Sequence, residues 1–441
     1  MNKRMEMPLS DALQEPARPV SLGFQILLGL ANAGASITLL PVLMVLIPAQ
    51  VTQIDPINPA NSLAFVLAVG AFAALVGNPL AGALSDRTTS RFGRRRPWLL
   101  FGTLGVSLGL GLLANSTSIL LLALGWFIAQ FFGNFLLSSY GAVLPDRVPV
   151  RQRGTTQAII GLFSPVAIIL SDLLFARVPD PRRAYLPIIA VQLFLTLLFL
   201  FLYREARLSK ESLAPFRLGS FLASFWVSPR KFPNFARAWL VWFLVWLSYN
   251  LGTGGFFYLY VQNITGYASL FPGHLVKEGI ATVQMLQIAI AIPLMMVAGV
   301  LSDRRGRLKS FVMVGGLLIA AGLVALVGFS DWVPVLASSV IIGVGFGIFL
   351  NLGPAMISQL LPSSLNRGKS LGVINIASTL PQVIMPPIGA AIINASGAAN
   401  RPGYQILFSI GALAALGGAL LIRSIRIGAR KQEDQVSSEP I

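Results

Sequence analysis

A chain of 441 residues that is 55% apolar, only 11% charged and has a mean hydropathy of +0.74 is not a set of soluble domains, which carry about 25% charged residues. The absence of cysteine and the presence of a single histidine, His274, exclude a disulfide framework, a thiol nucleophile, a histidine metal cluster and a catalytic dyad, so no metal or other cofactor is expected. The formal net charge of +17 raises nucleic acid as a partner, which makes the placement of the 33 Lys and Arg decisive.

Residues 1–19 carry Glu6, Asp11 and Glu15 and lack a basic-then-apolar leader pattern, so they read as a cytoplasmic tail. Apolar runs then predict helices α1 at 20–47, α2 at 60–84, α3 at 98–114, α4 at 118–143, α5 at 154–176 and α6 at 185–203. Residues 204–235 form the longest polar stretch. Within it Leu218, Phe221, Leu222, Phe225 and Trp226 recur at helical spacing, either as an in-plane helix on the inner leaflet or as linker residues packed under the bundle. A second series follows: α7 at 236–263, α8 at 279–301, α9 at 310–328, α10 at 333–359, α11 at 369–394 and α12 at 402–422, with a cytoplasmic tail at 425–441. Six-helix units are thus expected at 20–203 and 236–424.

With both termini inside, 28 of the basic residues fall on the cytoplasmic side. Only Arg177, Arg182, Arg183, Lys277 and Arg401 fall outside, a bias that sets orientation by the positive-inside rule. The basic residues therefore belong to short loops at a membrane surface, in reach of anionic lipid, and nucleic acid is not expected.

Two loops repeat one pattern. Gly82-Ala-Leu-Ser-Asp86-Arg87 with Phe92-Gly93-Arg94-Arg95-Arg96 stands between α2 and α3, and Gly299-Val-Leu-Ser-Asp303-Arg304-Arg305-Gly306-Arg307 stands between α8 and α9; the aspartates are 217 residues apart. Leu144-Pro145 with Arg153-Gly154 after α4 is echoed by Leu361-Pro362 with Arg367-Gly368 after α10. Six helices repeat as six helices, an arrangement that lets one half rock against the other and open a pathway alternately to each side. A carboxylate at a helix end pairs with guanidinium groups or caps a facing helix, so Asp86, Arg87, Arg94, Arg153, Asp303, Arg304, Arg307 and Arg367 are the candidate gate, made in one state and broken in the other. For single arginines, Arg91, Arg95 and Arg305 above all, orienting insertion is an equal alternative.

These residues resemble the major facilitator superfamily, whose cytoplasmic signature is Gly-x-x-x-Asp-Arg-x-Gly-Arg. The second loop matches without a gap and the first has four additional residues before Gly93. That longer loop, Ser85 to Trp98, is similar to those of plant sucrose transporters, their animal relatives and the wider glycoside–pentoside–hexuronide group. The resemblance implies an all-α membrane protein of twelve transmembrane helices in two pseudo-symmetric bundles, monomeric, with α1, α4, α7 and α10 lining a central cavity. In these and adjoining helices the candidate substrate-binding residues are Gln25 and Asn32 (α1), Trp126, Gln130 and Asn134 (α4), Trp246, Asn250 and Tyr258 (α7), Gln284 and Gln287 (α8) and Asn351 (α10). Asn375 and Gln382 of α11 are also polar.

Trp126, Gln130, Asn134 and Ser138 form one stripe at i, i+4 steps, and Trp242, Trp246 and Asn250 another. Amides and hydroxyls beside indole faces suit a neutral polyhydroxylated solute, a sugar above all, although hydrogen bonds between helices account for buried amides equally well. Of the 16 acidic residues only Asp172, in the outer part of α5, falls inside the membrane, which makes it the candidate proton site; pairing with Arg177 or Arg183 is its structural alternative. The symporters of the resembled group use acids in helices 1, 2 or 4, and those positions are neutral here. Export of amphipathic compounds and a non-transporting delivery or sensing role are the rival expectations; no residue set for enzymatic catalysis is present.

Overall fold

In a computed structural model, residues 16–205, 208, 219, 228–360, 367–397 and 400–425 are described; the amphipathic stretch at 218–226, apart from residue 219, lies outside them. Twelve helices long and apolar enough to cross a membrane are present, and no strand occurs among the described residues. α1 extends over Leu22–Ile54, α2 over Pro59–Asp86, α3 over Arg96–Ala114, α4 over Ile119–Arg147, α5 over Val150–Phe175 and α6 over Arg182–Leu202. The second half comprises α7 at Pro233–Asn263, α8 at Val276–Arg305, α9 at Leu308–Gly328, α10 at Trp332–Leu360, α11 at Arg367–Ala395 and α12 at Arg401–Ser424. Large apolar side chains stay exposed along the outer surface, Phe201, Leu186, Leu174 and Leu413 among them, as a lipid-facing belt requires.

The first helix of each half is irregular at a corresponding position. In α1, Thr38 and Leu39 leave the helix, Pro41 follows, and Val42–Leu46 adopt a π-helical turn before the helix resumes at Ile47–Ile54. In α7 the helix stops at Thr253 and restarts as Gly255–Asn263. Gly254 lies between, and a Cβ there would stand 2.3 Å from the Asn250 carbonyl oxygen. Only glycine fits so close an approach.

Within each half one pair of helices packs backbone on backbone. A Cβ at Gly109 of α3 would lie 2.5 Å from Ala129 N and 2.7 Å from Gly125 O of α4. In the second half a Cβ at Gly345 of α10 would lie 2.5 Å from Gly315 O of α9. Small residues permit this closeness, and the packing that results holds each pair together.

The halves meet at the end away from the arginine-rich loops. There Gly255–Asn263 of α7 packs on Val42–Leu46 and Ile47–Ile54 of α1 and on α2, α2 packs on α11, and α8 packs on α5. Among the described residues four polar contacts cross: Asn394 donates to Asn61 Oδ1 at 2.6 Å, Lys277 Nζ donates to the Val178 carbonyl, Arg177 approaches Glu278 at 3.6 Å, and Tyr258 shares a hydrogen bond with Thr52.

Candidate functional site

A cavity of about 560 Å³, counting the part that opens to solvent, lies between the halves. Its walls come from α1 (Leu43, Met44), α2 (Leu67, Ala71), α4 (Trp126, Gln130), α7 (Asn250, Leu251, Gly254, Gly255, Phe256) and α11 (Pro381, Gln382, Met385, Pro386). Both irregular backbones therefore face it. Interrupted helices at corresponding positions of two repeats are a strong pointer to a transporter's binding site, because irregular main chain inside a membrane is tolerated where it lines a cavity.

Three amides supply most of its polarity. Asn250 Nδ2 donates to Trp246 O at 2.7 Å and Gln382 Nε2 donates to Ser378 O at 2.9 Å, so each amide is anchored to its own helix through nitrogen while its oxygen makes no hydrogen bond with a described residue. Gln130 has no described side-chain partner, and the indole N–H of Trp126, packed against Gly70, is buried without an acceptor. No charged side chain is among the lining residues. The rest of the wall is aliphatic, aromatic or proline.

Of the eleven candidate binding residues, the cavity gathers Trp126, Gln130 and Asn250, and adds Gln382. The others sit elsewhere. Asn32 and Asn134 turn their amides back onto Leu28 O and Gln130 O of their own helices. Gln25 is buried with Oε1 unpartnered, and Gln284 is half-buried, its Nε2 shielded and unpartnered. Gln287 donates to Ser339 O and Asn351 to Met295 O, so both tie α8 to α10; α10 gives none of the described lining residues. Trp246 packs edge-on against Phe346 at 5.0 Å, and Tyr258 is buried in the contact with α1. Asp172 is 2% exposed and its Oδ2 has no partner; Arg177, the alternative partner, instead faces Glu278.

In the first half Arg95 is the hub. Its Nε lies 2.9 Å from Asp146 Oδ2, one Nη 2.7 Å from Asp86 Oδ1, and the other donates to Ser85 Oγ at 2.7 Å. Arg94 adds a 2.7 Å pair to Asp146. Burial opposes the charge on Arg95, but Asp146 and Asp86 outweigh it and hold the guanidinium above its usual range.

Glu205, just past α6, accepts the main-chain N–H of Arg95 at 2.7 Å and of Arg96 at 3.3 Å, capping α3. It reaches them because Gly93 has φ +103° and no Cβ, which would otherwise lie 2.5 Å from Glu205 Oε2. Burial pushes the Glu205 carboxyl up, against the opposing pull of those two amides.

Arg153 donates to Val148 O and Pro145 O, closing the end of α4. Arg87 keeps the helix-end position after Asp86 and is half-buried. In the second half Arg304 and Arg307 are exposed, and the side chains of Asp303 and Arg367 lie outside the described residues. Arg95, Asp146 and Glu205, which sequence spacing did not single out for the gate, are thus the centre of the first-half cluster. The contacts described for Arg94, Arg95, Asp86 and Asp146 all stay within that half.

A family model described as Major Facilitator Superfamily matches residues 22–286 and 274–440. The human proton-associated sugar transporter A is 49% identical over 72 residues, 15% of this chain and 9% of that protein. A sucrose transport protein of Oryza sativa subsp. japonica is 33% identical over 109 residues, 24% of this chain and 20% of that protein. The chain thus aligns with a fifth or less of either curated relative's length. Among solved structures, the nucleoside transporter NupG superposes with a TM-score of 0.69 at 14% identity, covering 92% of this chain and 99% of that one. A peptide transporter POT in complex with sulfate gives 0.72 at 12% identity, covering 94% and 96%. These likenesses establish the shared fold.

Proposed function

The chain belongs to the Major Facilitator Superfamily, and with that as premise we propose that this secondary transporter moves a small neutral polar solute, a sugar, by alternating access. The observation that carries the reading is the cavity between the halves. It is walled by both interrupted helices, furnished with three amides and an indole, and free of charged lining. A sugar hydroxyl donates and accepts, matching Asn250, Gln382 and Gln130, while its C–H face packs on the apolar wall. The short stretches of similarity to sugar-transporting relatives support the same substrate class.

The 28 to 5 division of basic residues supports a multi-pass protein of the plasma membrane with both termini in the cytoplasm and the arginine-rich loops at anionic lipid. In that orientation the four polar contacts between the halves lie outside, and the conformation is closed to the exterior. Uptake of labelled sucrose, maltose and glucose into proteoliposomes tests the proposal. Saturable uptake of one of them supports it, and no transport of any sugar by monodisperse protein overturns the substrate class.

One observation favours a second reading. Leu43, Met44, Leu67, Leu251, Phe256 and Met385 make the wall mostly apolar, as an exporter of amphipathic compounds would require. Raised drug susceptibility of a deletion strain, with no sugar phenotype, would select it.

A further inference from the structure

Asp172 is 2% exposed, has an unpartnered Oδ2, and makes no hydrogen bond or ion pair through its side chain with any described residue. It is not among the residues that line the cavity. α5, which carries it, packs against α8 of the other half. The seam is tied just above by Arg177 with Glu278 and by Lys277 with Val178 O. Asp172 precedes Arg177 by five residues and Gln284 follows Glu278 by six, which places both about 7.5–9 Å below that tie at 1.5 Å per residue. Gln284 lies two turns from Lys277 on the same helix face, and its Nε2 is buried without a partner. An unpartnered carboxyl and an unpartnered amide therefore occupy one depth on two helices that belong to opposite halves.

We propose that Asp172 is a proton-operated latch at the α5–α8 seam. With the proton bound, the side chain is a neutral acid and the seam stays shut. When the carboxyl releases its proton to water, an uncompensated charge remains in a buried contact that offers it no hydrogen bond, which is strongly unfavourable, and the seam opens to hydrate both the carboxylate and the unpartnered Gln284 Nε2.

The other titratable and charged groups near this face are Lys277 and Glu278 of α8, Arg177 and Asp180 of the α5–α6 loop, and His274, whose Nδ1 lies 2.9 Å from Glu278 Oε2. α1, which also packs on α5, has none along Leu22–Ile37, and those of α4 are at its far end. The latch deepens the carrier reading by supplying a driving ion, and it rests on that reading only for the consequence of opening.

The test uses the absence of native cysteine. Asn61→Cys and Asn394→Cys, at two exposed residues hydrogen-bonded across the closed end, report closure through a short bis-methanethiosulfonate cross-linker in purified protein without substrate. Normalised to the rate at which each single-cysteine variant reacts with a monofunctional methanethiosulfonate at the same pH, cross-linking should fall roughly tenfold between about pH 5 and about pH 9, because an unpaired buried charge outweighs a tenfold shift in population. Thiolate chemistry alone runs the other way, faster as pH rises.

In this background Asp172→Asn, or Asp172→Ser should the first variant aggregate, abolishes the dependence. Asp172→Glu keeps it, and so does His274→Gln. A pH-independent parent, or a dependence that persists in Asp172→Asn or is lost in His274→Gln, overturns the latch. Because no sugar is present, failure of the substrate proposal leaves this outcome unaffected.

Discussion

Replacing Arg95 by methionine tests whether the first-half arginine–aspartate cluster is a buried structural hub. The side chain of Arg95 is 5% exposed, whereas that of Asp86 is 62% exposed, so their pair contributes about 0–1 kcal/mol. The buried share is the contact with Asp146 and the bond to Ser85 Oγ. A hydrogen bond to a charged group is worth about 1.5–3 kcal/mol, and breaking a buried ion pair costs about 3–5 kcal/mol when the remaining charge is uncompensated. Arg94 still neutralises Asp146 at 2.7 Å, which places Arg95→Met near the lower bound, about 3 kcal/mol. In halves of this size that corresponds to a fall of about 6–12 °C in unfolding temperature, read by fluorescence-detected gel filtration of heated detergent samples. Arg304→Met, at the equivalent loop of the other half and exposed, should change stability by no more than about 0.5 kcal/mol. If the two variants unfold within about 2 °C of each other, the hub does not carry the stability assigned to it.

Gly93→Ala must both take φ +103° with a Cβ and displace Glu205; a loss of about 2–3 kcal/mol is expected by the same assay, against about 1 kcal/mol for Gly306→Ala, where φ is +59° and no atom lies within 4 Å of the added carbon. The raised folded pKa of Glu205 means that its stabilising contribution is full below the unfolded value of about 4.3 and is lost as pH rises through the folded one; Glu205→Gln, which mimics the protonated form, should therefore gain on wild type at neutral pH and lose that advantage near pH 4, as thermal denaturation at the two pH values will show. Gln130→Ala, Asn250→Ala and Gln382→Ala should each lower sugar uptake efficiency about ten- to a hundredfold, while Asn351→Ala, whose amide is spent on Met295 O, should change it less than about twofold in proteoliposome assays.

The twelve helices and their six-plus-six repeat were legible because hydropathy over about 20 residues and the distribution of arginine are properties of sequence alone. Trp126, Gln130 and Asn250 reached the cavity for a similar reason: i, i+4 spacing defines a helix face without reference to other helices. It does not say where that face ends. Asn134 lies on the Gln130 stripe, yet its amide bonds its own helix, and Asn351 turns to α8 although α10 was expected to line the cavity. Arg95 could not be separated from Arg91 by spacing, since its partners Asp146 and Glu205 are 51 and 110 residues away in the chain and meet it only through packing. The interruption of α7 was signalled by Gly252, Gly254 and Gly255, whereas the π turn of α1 has only Pro41 to announce it.

The glycine contacts that join α3 to α4 and α9 to α10 have a mechanical consequence. Where main chains touch, no side-chain rotamer is left to absorb displacement, so each pair behaves as one stiff beam. The bends at Gly254 and at Val42–Leu46 lie in the helices that face the cavity, outside either beam. Torque generated where the halves meet is therefore delivered to the far ends of the molecule with little slack, and a methyl group added at Gly109 or Gly345 would act as a shim, changing the angle of the lever while every residue that faces the solute stays the same.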